Sequence, residues 1–142
     1  MAAPDAGVPG GQRDRGQETS AGELVGQERE KAAVPEDLGR MFIERANAAD
    51  VDGLVALYER EAVLATPSGQ IAIGADAIRE VYEKLLTTRP KFTSEGQQPA
   101  LINGDIALTS TLLTGGGATA EIARRQPDGE WLWAVDQPRI VA

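Results

Sequence analysis

The sequence predicts a single α+β domain, and two observations predict it. Apolar residues recur at helical spacing from about Pro35 to Leu86, and after Pro90 that spacing gives way to alternation interrupted by glycine turns. Helices followed by an antiparallel meander place the helices on one concave face of a sheet. A chain of 142 residues has room for one such core and not for two.

The first 33 residues lie outside the pattern. They are rich in Gly, Pro, Gln, Ala and mixed charge, and Leu24-Val25 is their only adjacent aliphatic pair, too little apolar surface to offset chain entropy. The expectation is a disordered tail over 1–33 and a folded domain over 34–142. Pro35-Glu36-Asp37 then presets a first turn and sets two acids at the positive end of a helix dipole. Leu38, Phe42, Ala46 and Ala49, with Met41 beside them, carry that helix to about Ala48. Asp50 caps a second, shorter helix in which Leu54, Leu57 and Tyr58 share a face. Short strands follow at 62–65 and 70–73 around the turn Thr66-Pro67-Ser68-Gly69. Gly74 opens a third helix with Ile78, Val81, Tyr82, Leu85 and Leu86 on one stripe. Strands are expected at 91–102 and 105–114 around the hairpin signal Asn103-Gly104, then at 118–126 and 130–138 around Pro127-Asp128-Gly129.

Composition removes several classes of chemistry. The chain has no cysteine and no histidine, so disulfides, thiolate nucleophiles, imidazole bases and histidine metal sites are all absent. Any acid–base work falls to carboxylates, tyrosine, lysine or water. The net charge of −8, with scattered Lys and Arg, argues against a nucleic-acid partner and against an anionic membrane surface. No run of about 18 apolar residues suggests a membrane span, and the expected location is the cytoplasm. Gly115-Gly116-Gly117 lacks the following Lys and helix of a phosphate loop, and no cofactor or metal is expected.

In order, Met41–Tyr58, then Ala65-Thr66-Pro67-Ser68-Gly69, then Gly74–Tyr82 resemble the opening half of a nuclear transport factor 2-like, or SnoaL-like, domain, the superfamily that includes ketosteroid isomerases. Arg124–Trp131 followed by Val135-Asp136-Gln137-Pro138 is similar to the last hairpin of many small SnoaL-like proteins. The resemblance implies a cystatin-like α+β cone: three N-terminal helices packed on a curved antiparallel sheet, an apolar pocket between them, and a homodimer through the outer sheet face. It also sets Phe42 where the isomerases hold an oxyanion-binding Tyr, and Thr66 where they hold the Asp base, so steroid isomerisation is not expected.

Asp136 is the candidate catalytic carboxyl. Strict alternation groups Leu132, Ala134 and Asp136 on one face of the last strand and Trp131, Trp133 and Val135 on the other. With Leu132 and Ala134 inside, Asp136 is inside, and the two indoles are expected to be buried either across the dimer surface or in the sheet's apolar layer, with Trp131 or Trp133 at or near the dimer contact. The opposite reading makes Asp136 a strand-end residue paired with Arg139 or Arg124. Candidate ligand-binding residues are Phe42, Leu54, Tyr58, Thr66, Ile78, Tyr82 and Leu112. Either tyrosine can instead be a core residue with a satisfied hydroxyl. Glu121 is expected to meet an Arg across the strands at an exposed surface. The function that follows is binding of an apolar small molecule; the alternative is a SnoaL-like isomerase, cyclase or hydrolase acting on a polyketide or other carbonyl compound. A structural module that dimerises and engages a protein is the third possibility.

Overall fold

The computed structural model describes residues 29–93 and 95–140. Most of the expected tail lies outside them. The compact unit starts at Lys31. There Lys31 pairs with Asp128 at 2.9 Å, and the buried Ala32 accepts a 2.9 Å hydrogen bond from the Trp131 backbone, so residues 31–33 belong with the domain.

Helix α1 runs Glu36–Asn47 and turns Leu38, Met41 and Ala46 into the core. Asp37 satisfies the chain entering it by accepting from the backbone N–H of Ala33 at 3.0 Å. Helix α2, Val51–Val55, is capped by Asp50, whose carboxylate accepts from Gly53 N at 3.0 Å. Strand β1 spans Tyr58–Ala65 and β2 spans Ile71–Ile73. Tyr58 therefore opens a strand and does not share a face of α2. Helix α3, Ala75–Leu85, buries Ile78 and Tyr82, and Leu86–Thr88 continue it as a tighter 3₁₀ turn.

After α3 come β3 Leu101–Asn103, β4 Ile106–Thr109, β5 Ala118–Arg125 and β6 Trp131–Ile140. The first two are much shorter than the alternation suggests. Asn103 pairs with Ile106, so the hairpin turn is Gly104-Asp105, with Gly104 at φ 64°. Outside the named strands, single bridges join Gln97 to Thr111 and Leu112 to Ala118, with further backbone hydrogen bonds such as Gln98 N to the Ser110 carbonyl at 2.9 Å and Leu112 N to the Gly96 carbonyl at 2.8 Å.

The six strands form one curved sheet in the order β2-β1-β6-β5-β4-β3. It is mixed and not wholly antiparallel, because β1 pairs parallel with β6. Alternation reports which face a residue takes and is blind to the direction of the neighbouring strand. The core lies between the helices and the inner sheet face, with Leu38, Met41, Leu54, Leu57, Leu64 and Ile78 among its fully buried side chains.

One irregularity in β6 decides what that face carries. Trp133 pairs with Ala123 while Val135 pairs with Ile122, which leaves Ala134 as an extra residue in the strand. The bulge resets the alternation, so Trp131, Trp133 and Asp136 are all buried, at 5%, 4% and 6% exposure, while Val135 points out at 43%. The expectation that the indoles sit on the outer face is corrected: both pack in the domain's own core.

Candidate functional site

An open cavity of about 930 Å³ lies between α1, α3 and the inner sheet face. The turn around Thr66, Pro67 and Ser68 and the loops around Phe92 and Leu112 line it as well. Its floor is a row that the strand register assembles: Thr109 opposite Glu121, Glu121 opposite Asp136, and Asp136 opposite Leu64. Thr109, Glu121 and Asp136 are the buried polar side chains among the described residues, and all three line this cavity.

Asp136 holds one end of a hydroxyl chain. Its Oδ2 accepts from the Tyr58 hydroxyl at 2.5 Å, and Tyr58 meets the Tyr82 hydroxyl at 2.5 Å. Because Tyr58 has one hydroxyl hydrogen and gives it to Asp136, Tyr82 is the donor in the second bond. Asp136 Oδ1 is different: it is the buried side-chain oxygen without a hydrogen-bond partner among the described residues. Beside it, Glu121 Oε1 accepts from Thr109 Oγ1 at 2.5 Å, and Thr109 in turn accepts from Trp133 Nε1 at 3.1 Å.

The electrostatics follow from burial. Loss of water pushes the Asp136 carboxyl up to about 7, the Glu121 charge pushes the same way, and the Tyr58 hydrogen bond opposes both. Burial raises Glu121 as well, partly offset by hydrogen bonds from Thr109 and Thr119 that favour its anion. Both tyrosines are held above the ordinary phenol value by burial first and by the Asp136 charge second. Neither phenol ionises near neutrality, so they act as donors.

Of the expected site residues, Phe42, Thr66, Tyr82, Leu112 and Asp136 line the cavity. Tyr58 reaches it only through Asp136 and Tyr82. Leu54 and Ile78, both at 0% exposure, belong to the buried core and do not line the cavity. The Thr66 hydroxyl is engaged in its own turn, with Ser68 Oγ at 3.0 Å and the Gln70 carbonyl at 3.1 Å. Arg124 pairs with Glu59 and not with Asp136.

Glu121 is the main correction. Expected at an exposed surface beside an Arg, it is 8% exposed on the cavity floor, and no ion pair reaches it among the described residues. The sequence did carry a signal: Thr119, Glu121 and Ala123 share a face, and small neighbours on an inner face leave space above a carboxyl. Trp133 is the other residue missed, because the bulge at Ala134 is invisible to strict alternation.

The sequence profile of the SnoaL-like domain matches residues 40–142. No curated protein matches the chain significantly. Among solved structures, a ketosteroid isomerase-like protein from Erwinia carotovora atroseptica superposes with a TM-score of 0.59 at 22% identity, covering 77% of this chain and 95% of that one. A cystatin-like protein of unknown function from Nostoc punctiforme gives 0.58 at 20% identity, covering 75% and 86%. A nuclear transport factor 2-like protein with a cystatin-like fold from Novosphingobium aromaticivorans gives 0.53 at 18% identity, covering 71% and 75%. At these identities the likeness is one of fold.

Proposed function

The chain belongs to the SnoaL-like domain family, and on that premise we propose that it binds a small molecule in the cavity between α1, α3 and the sheet, with Asp136 as the polar anchor. The observation that carries this reading is Asp136 Oδ1, a buried acceptor at the cavity floor with no donor among the described residues. Leaving such an atom unpaired costs about 1–3 kcal/mol, which a donor on the ligand would recover. The apolar walls, including Phe42, Val81 and Trp133, suit the rest of the molecule.

Calorimetric titration with a neutral aromatic probe, 1-naphthylmethanol, tests it. Binding is expected, and Val81→Trp, which fills the cavity from α3, is expected to abolish it. No binding of this alcohol or of like-shaped naphthalenes with other head groups, or binding untouched by Val81→Trp, overturns the reading.

A second reading is acid–base catalysis on a polyketide or other carbonyl compound, favoured by a cavity carboxyl that titrates at about 7 beside a phenol donor. Steroid isomerisation is not part of it, since Phe42 has no hydroxyl to offer an oxyanion and the Thr66 hydroxyl is tied into its turn.

For partners, the reading is a cytoplasmic homodimer formed outer face to outer face. Its support is a single register row, Ile73-Val63-Val135-Ile122-Leu108-Leu101, which is aliphatic on every strand. Ile73 and Leu101 at its ends are 64% and 68% exposed, more than a lone subunit gains by leaving them in water.

A further inference from the structure

We propose that the ligand is an amphipathic amine, its ammonium head set against Asp136 and Glu121 and its apolar body against Phe42 and Trp133. This rests on the small-molecule reading above and names the class of molecule. Glu121 and Asp136 are directly opposed across β5 and β6, both on the inner face, and both nine-tenths buried. Buried acids are ordinarily matched by a cation. Here the protein supplies only hydroxyls, Thr109 and Thr119 to Glu121 and Tyr58 to Asp136, and no ion pair to either acid is formed among the described residues. The basic residues around the cavity, Lys84, Lys91 and Arg139, are exposed. The floor is therefore a place of concentrated negative potential with one acceptor, Asp136 Oδ1, still open.

That arrangement discriminates among head groups. A carboxylate or phosphate would bring a third negative charge to two acids. A ketone or ester carbonyl finds a donor at Oδ1 only while Asp136 holds its proton, and once the carboxyl is ionised its lone pairs face those of Oδ1. An ammonium brings only N–H donors and positive charge, so it completes the open acceptor and offsets both acids. The walls fit the same group. Phe42 lies in tilted or edge contact with Tyr82, Phe92 and Trp133 at centroid distances of 6.0, 5.5 and 6.2 Å, and all four rings line the cavity. Ring faces attract a cation, more strongly as the bound group displaces water from them.

Protonation gives a second handle. The ionisable groups facing Asp136 are Glu121 on β5, Tyr58 on β1 and Tyr82 on α3. With both carboxyls raised by burial, the empty pair holds a proton near neutrality, and a bound ammonium displaces it to solvent. The preference for an amine should then weaken as the pH falls and the acids hold their protons more firmly.

The test compares three naphthalenes of one shape, 1-naphthylmethylamine, 1-naphthylmethanol and 1-naphthoate, by calorimetric titration near pH 8. The amine is expected to bind about tenfold or more tighter than the alcohol, a charge-assisted bond to a buried carboxylate being the difference, and naphthoate is expected not to bind. Asp136→Asn should bring the amine level with the alcohol, and Glu121→Gln should cost the amine roughly threefold without moving the alcohol. If Asp136→Asn does not fold, lowering the pH of the wild-type protein from about 8 to about 5.5, where the amine remains charged, should shrink the same preference. Alcohol binding with no preference for the amine, a preference independent of pH, or naphthoate binding as well as the amine overturns the amine proposal and leaves the pocket intact. Failure of all three probes overturns the pocket reading along with it.

Discussion

The two faces of the sheet differ by one residue along each strand, and they invert the usual rule of burial. The inner row runs Thr109, Glu121, Asp136, Leu64, Ala72; the outer row beside it runs Leu108, Ile122, Val135, Val63, Ile73. The inner row hides two carboxyls and a hydroxyl, whereas the outer row leaves aliphatic side chains in water. A buried polar group or an exposed apolar patch is the informative exception in a soluble domain. Here both exceptions occur back to back on the same strands. One face leaves a buried carboxylate oxygen unpaired at the cavity floor, and the other leaves a continuous aliphatic row in water.

Substitutions that move one face and spare the other would break or sharpen this contrast. The largest effect is expected from Trp133→Ala. If the indole is inner-face core, its loss should destabilise the domain by about 3–5 kcal/mol in urea unfolding while the oligomeric state of the folded protein stays unchanged. Dissociation without destabilisation would return the indole to the outer face.

Asp136→Asn is expected to act in the opposite direction. The folded-state carboxyl titrates at about 7, above its value in the unfolded chain, so between about pH 4 and 7 the native state holds a proton that the unfolded state has released. Stability from this group is full at low pH and is lost as pH rises through 7. The neutral variant escapes that loss and should be more stable than wild type by about 4 kcal/mol near pH 8, with the difference vanishing near pH 4. A constant difference across that range would mean that Asp136 is not raised.

On the other face, Ile122→Glu sets a charge in the middle of the aliphatic row. Sedimentation should show the dimer weakened about a hundredfold or more, equivalent to about 3 kcal/mol, with amine binding unaltered. The smallest change is expected from Tyr58→Phe. It removes the donor to Asp136 Oδ2, which should cost about 1 kcal/mol near pH 8, where the carboxyl is ionised, and move the Asp136 titration upward from about 7, visible in the carboxyl ¹³C shift.

Much of the fold was legible because it is written locally. The Asp50 cap, the stripe Ile78-Tyr82 on α3 and the glycine turns each depend on residues within a few positions of one another. The site was legible in pieces. Asp136 does face the cavity, but the alternation that pointed inward for Leu132 and Ala134 reached it for the wrong reason, since the bulge at Ala134 reverses the tryptophans and returns Asp136 to the inner side. Glu121 was grouped with Thr119 and Ala123 on the right face, yet nothing local says which face of a strand the helices will cover.

By itself, then, the sequence determined the helices, their caps, the turns and an acid chemistry without histidine or cysteine, because helical periodicity, side-chain capping and composition are properties of short stretches of chain. Only the tertiary structure decided that β1 runs parallel to β6, that one extra residue lies in β6, and that Glu121 and Asp136 stand opposite each other on the buried floor of the cavity. Those are matters of register between strands far apart in sequence, set by how the whole sheet buries its tryptophans and leucines. A shift of one residue there exchanges inside for outside, and no local free energy records it.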